Sequence, residues 1–231
     1  MSQLKPIKLY GGVLGPNPAK TAIILEELNV PYENVYVPFD KLKTPEFEAV
    51  NPNGRVPAIE DPNTGITIWE SGAIIQYLID TYDKEHKLSF PAGTPEAYHA
   101  AQWLFFQVSG QGPYYGQVTW FERYHAERLP SAIDRYVNEV RRVSTVLDRW
   151  LETRQWLVGD RCTYADLAFI PWQVGIEAFV AKAYDPAKEF PHLAAWLERM
   201  KSREAVSKVL AEAAERRAAL EKEGQLGPKR E

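Results

Sequence analysis

The sequence predicts an α/β domain of βαβ-ββα order followed by an all-helical bundle, on two observations. Short β-type runs alternate with helical stretches up to about residue 83. Beyond the polar stretch "DKEHKLSFPAGTP", with its two prolines and a glycine, apolar residues recur almost wholly at helical spacing. The expected organisation is an α/β domain over 1–83, a linker over 84–95, a helical domain over 96–221 and a tail over 222–231.

The first strand is read at Pro6 to Tyr10 and the first helix at Pro18 to Asn29. Pro18 suits a first helical turn, where its missing N–H would be unpaired anyway, and this leaves Asn17 in "GPNPAK" as the N-cap. Strands at Tyr32 to Val37, Ala58 to Glu60 and Ile66 to Trp69 follow, then a helix over Ser71 to Tyr82 with Ile74, Ile75, Leu78 and Ile79 available for burial. In the second half, helices are expected at Glu96 to Ser109, Ser131 to Glu152, Tyr164 to Ala181, His192 to Lys201 and Glu204 to Glu221. The stretch "SGQGPYYGQVTWF" reads as a helix break at Gly110, Gly112 and Pro113. Thr163 and Asp166 in "TYAD" form the S/T-x-x-D pattern of a capping box, a folding feature and not a catalytic one.

Composition excludes several functions. The 231 residues are 45% apolar, and 27 basic residues mixed among 31 acidic ones give a net charge of −4, with no field to hold a nucleic acid. No apolar signal region opens the chain and no run of about 18 apolar residues occurs, so neither secretion nor a membrane is expected, and the default compartment is the cytoplasm. Cys162, the single cysteine, allows no internal disulfide or C-x-x-C pair and reads as an inert thiol. Sulfur chemistry must therefore borrow its thiol from a small molecule. His86, His99, His125 and His192 are scattered without ligand spacing, so no metal is expected.

Three stretches carry possible chemistry. Asn17 is either a plain cap or, beside the positive end of a helix dipole, a donor that holds an anion such as a thiolate; an amide cannot act as general base. Val56-Pro57 is either an ordinary trans proline opening a strand or a cis bond presenting the Val56 backbone to an extended peptide. Glu70 and Ser71 are either charge and cap at a helix start or receivers of an ammonium and a carboxylate.

Taken with the later "WLVGD", "TYADLAFIPW" and "FPHLAAW", the motifs "GPNPAK", "NPNGRVPAI" and "IWESGAIIQYL" make the chain resemble a cytosolic glutathione transferase, and within it the fungal nitrogen-regulator-prion-like branch and its bacterial nu-class relatives. The resemblance covers about residues 6 to 210 and implies a thioredoxin-like N-terminal domain, a helical C-terminal domain and a homodimer. It implies glutathione as co-substrate with no tightly bound cofactor, and as second substrate a small electrophile, disulfide or peroxide. Residue by residue, it puts Asn17 beside the sulfur, Val56 and Pro57 against the cysteinyl backbone, and Glu70 with Ser71 at the γ-glutamyl end. Gly15 stands where some relatives have threonine, and Leu42 where relatives carry a polar contact to the glycyl carboxylate; Lys41 or Lys43 is then the substitute. Arg135 is similar to an arginine extended toward the partner subunit's glutathione. Tyr114, Tyr115, Trp120 and Phe121 are aromatic candidates for the electrophile site. The other function considered is a non-catalytic glutathione-binding regulator acting through a protein partner; the lack of an Asn/Gln-rich extension before the first strand favours the enzyme.

Overall fold

The computed structural model describes residues 4–223. Of the tail expected over 222–231, residues 224–231 lie outside the described residues. The first half comprises β1 (Ile7–Tyr10), α1 (Pro16–Glu27), β2 (Tyr32–Val35), a 3-10 turn at Phe39–Lys41, α2 (Pro45–Glu48), β3 (Ala58–Asp61), β4 (Ile66–Trp69) and α3 (Ser71–Tyr82). Its sheet runs β2-β1-β3-β4, with β1 parallel to β2 and antiparallel to β3, and β3 antiparallel to β4. This is the thioredoxin-like arrangement the βαβ-ββα order implied: the crossover through α1 makes the one parallel pair, and the β3–β4 hairpin closes the sheet.

Residues 83–94 lead into α4 (Pro95–Phe106), a π-helical segment (Gln107–Gln111), α5 (Gly112–Arg123), α6 (Pro130–Leu151), α7 (Tyr164–Val180), α8 (Pro186–Glu189), α9 (Pro191–Lys201) and α10 (Glu204–Lys222). The helix break expected at Gly110, Gly112 and Pro113 does not occur. Instead the chain stays helical from α4 through the π segment into α5, an element the sequence reading lacked. Side-chain bonds within the core span this wider turn: Gln107 Nε2 donates to Gln111 Oε1 at 3.0 Å, and Gln111 Nε2 donates to the Phe169 carbonyl at 3.2 Å. Pro113 sits in the first turn of α5, where a proline is tolerated.

One continuous core joins the two halves, with α1 at its centre. Every residue from Pro18 to Leu25 is buried because α1 packs against α3 beneath the sheet and against α7 and α10 of the helical half. Arg203 clamps it from outside with two bonds to the Glu27 carboxylate, at 2.6 and 2.7 Å. The capping box forms as expected: Asp166 accepts from the Thr163 N–H and hydroxyl, and also from Leu157 N–H and Trp196 Nε1. Burying this carboxylate therefore anchors α7 at its start.

Candidate functional site

The site begins where β1 turns into α1. Gly11 takes φ +98°, and a Cβ there would stand 2.6 Å from the Val56 Cβ, so only glycine lets the two loops approach this closely. Gly15, at φ +87°, is the residue before α1, and a threonine would be strained there. A cavity of about 420 Å³ opens at this point, between the two halves of the molecule.

Asn17 is not the cap that the sequence suggested. The helix starts one residue earlier, at Pro16, and the Asn17 side chain makes no capping bond. Its Oδ1 accepts instead from Trp172 Nε1 at 2.9 Å, a bond across 155 residues. An indole N–H is only a donor, so the amide oxygen must face Trp172 and the amide NH2 is left for another partner. Among the described residues the NH2 has no acceptor, and Asn17 lines the cavity.

The prolines on either side sharpen this arrangement. Pro16 and Pro18 contribute no N–H, and Ala19 N–H is spent on the Gly15 carbonyl at 3.1 Å. The start of α1 thus offers an anion the Asn17 peptide N–H and amide, not a cluster of free helix-end donors.

The Val56-Pro57 bond is cis, and Val56 lines the same cavity. Glu70, exposed before α3, takes φ 71° and ψ 112°, a left-handed conformation costing a non-glycine residue about 1–3 kcal/mol. It turns the chain so that the N–H groups of Ser71, Gly72 and Ala73 precede the first helical bond, from Ile74 N–H to the Glu70 carbonyl, and can receive a carboxylate. Burial lowers the pKa of the Lys20 ammonium to about 7, against the opposing pull of Glu70. Lys20 Nζ bonds Gln107 Oε1, which ties α1 to the π segment.

The other expected residues divide. Lys41 is exposed beside Asp40, and Lys43 donates to the Asn53 carbonyl at 2.6 Å. Leu42 between them lines the cavity as an apolar wall. Arg135 is exposed on α6 and does not line the cavity of its own chain. Of the four aromatics, only Trp120 lines it. Tyr115 is fully buried with its hydroxyl bonded to Gln173 Oε1 at 3.1 Å, Tyr114 packs on Tyr136, and Phe121 stacks between Tyr136 and His125. Tyr115 is a core residue, and the expectation that it meets a substrate is corrected.

Two helix faces explain which residues do line the cavity. Gly116, Thr119, Trp120 and Arg123 on α5, and Trp172, Gly175, Ile176 and Phe179 on α7, share the spacing i, i+3, i+4, i+7. Gly112 and Gly116 leave room for the Trp172 ring, which would stand 3.4 Å from a Cβ at either position. The sequence reading missed Trp172, Arg123, Phe179 and Arg217. The available signal was the tryptophan after Pro171 on a largely apolar helix, because an indole N–H drawn partly out of water seeks an acceptor. Cys162 is buried and burial pushes its thiol pKa up, so it has the properties of an inert core thiol. Among the described residues no three metal-binding side chains converge, and no helix is long and apolar enough to cross a membrane.

Comparison with known proteins agrees with this architecture. Residues 5–80 match the family "Glutathione S-transferase, N-terminal domain", and residues 83–204 match "Glutathione S-transferase, C-terminal domain". The chain is 52% identical over 220 residues to glutathione S-transferase-like protein gedE of Aspergillus terreus, covering 91% of this chain and 96% of that one. Among solved structures it is similar to the glutathione transferase URE2P8 of Phanerochaete chrysosporium with oxidized glutathione, at 42% identity and a TM-score of 0.89, covering 94% of this chain and 99% of that one. It is also similar to Ure2p5 of the same organism, cocrystallized with a glutathionyl-dinitrobenzene, at 38% identity and a TM-score of 0.84, covering 94% and 98%.

Proposed function

The chain belongs to the glutathione S-transferase family, and from that premise we propose that it holds the glutathione sulfur as a thiolate at the Asn17 amide. The thiolate attacks an electrophilic carbon: a carbon–sulfur bond forms, and the leaving group departs with its bonding pair. A disulfide is the other acceptor class, where one sulfur is attacked, the second leaves as thiolate, and another glutathione resolves the mixed disulfide. In this reading Val56, beside the cis Pro57, pairs with the cysteinyl backbone, Glu70 meets the γ-glutamyl ammonium, and Ser71 with the start of α3 meets its carboxylate. Lys41 or Lys43 serves the glycyl carboxylate. The protein acts in the cytoplasm as a homodimer, with Arg135 of the partner subunit extended toward the bound tripeptide.

The observation that carries the proposal is the Trp172–Asn17 bond, since it leaves a donor and not an acceptor for the sulfur. A hydrogen bond to a charged group contributes about 1.5–3 kcal/mol, equivalent to about one to two units of thiolate pKa. Titrating the ultraviolet thiolate absorbance of bound glutathione tests this. The pKa should lie below that of free glutathione and rise by about one to two units in Asn17→Ala. A bound pKa no lower than in free solution removes the mechanism.

A further inference from the structure

The charge of the cavity wall separates it from a plain apolar pocket. Its walls are aromatic and aliphatic, yet two charged side chains line it, Arg123 from α5 and Arg217 from α10, and no carboxylate does. Among the described residues neither arginine has an ion-pair partner. Arg123 ends α5, where helix carbonyls favour a cation, but the dipole does not account for where its head goes. The guanidinium lies 5.2 Å from the centre of the Phe179 ring, itself a cavity wall, so it is held at the cavity and not released to solvent. Arg217 lies inside α10, more than a turn from its end, where no terminal dipole calls for it.

Resting on the reading above, we propose that the electrophile taken by this cavity is an anionic aromatic, carrying a carboxylate or an ionised phenol. Trp120, Trp172 and Phe179 supply faces for a flat ring, and the guanidinium groups supply planar donors matched to a carboxylate. The anion is not the reacting group. It orients the ring while the carbon–sulfur bond forms at another ring carbon and the leaving group departs with its pair.

Binding of naphthoate and of its neutral isostere naphthamide, each followed by tryptophan fluorescence without glutathione, tests the proposal independently of thiolate chemistry. Naphthoate should bind the wild type at least about tenfold more tightly. That preference should shrink in Arg123→Gln and in Arg217→Gln, vanish in the double variant, and fall with added salt. Equal affinities in the wild type, no binding of either ligand, or an unchanged preference in a folded double variant overturns it. If the double variant does not fold, a wild-type preference indifferent to salt overturns it equally. Calorimetry with glutathione is the separating arm. Arginine variants that lose glutathione while keeping the naphthoate preference assign these cations to the tripeptide's own carboxylates and refute the proposal, whereas a wild type that binds naphthoate but not glutathione refutes only the transferase reading.

Discussion

Replacing Trp172 by phenylalanine removes one N–H donor from the Asn17 oxygen and keeps a smaller aromatic ring on α7, without the indole atoms that approach Gly112 and Gly116. The lost bond, at 2.9 Å in a half-buried setting, is worth about 1 kcal/mol net. In the wild type that energy biases the amide toward presenting its NH2; without it, the oxygen-outward orientation becomes accessible and must be reversed whenever the thiolate binds. The penalty cannot exceed the bias, so the thiolate pKa should rise by at most about 0.7 unit, well below the shift expected for Asn17→Ala. Asn17→Asp completes the series, because it still accepts from Trp172 but sets a negative charge beside the sulfur, and it should raise the pKa most. The assay is the pH titration of bound thiolate absorbance, with thermal unfolding run in parallel to register the smaller ring. If Trp172→Phe lowers the melting temperature and leaves the pKa at the wild-type value, Trp172 is packing alone and the orientation argument fails.

Two further outcomes follow from the strained and buried groups. Glu70→Gly should relieve the positive φ and stabilise the fold by about 1 kcal/mol after glycine's own entropic cost, while weakening glutathione about tenfold; denaturant unfolding and calorimetry should therefore move in opposite directions, and a variant that is less stable refutes the strain. Lys20 titrates near 7 when folded and at 10.5 when unfolded, so between those values the unfolded chain binds one more proton and stability rises with pH by about 1.4 kcal/mol per unit from this group. Lys20→Met should lack that slope, and parallel stability–pH curves for variant and wild type would show that the ammonium is not buried as described.

The sequence alone determined whatever depends on neighbours in the chain. The change of period marked the two halves, the capping box marked the start of α7, and the three turn motifs brought Asn17, Val56 and Glu70 forward as candidate site residues, because cap, turn and strand-edge chemistry is written within a few residues. Two things were decided only by the tertiary structure. The role of Asn17 passed from helix cap to oriented donor through Trp172, a partner no local rule links to it. The helical wall of the cavity turned on the phase of α5: the π segment carries the helix through an apparent break, and one residue of register rotates a helical face by about 100°, the difference between Tyr115 in the core and Gly116 on the cavity. That phase is set by what Gln107 and Gln111 bond across the interior, so no reading of the segment by itself contained it.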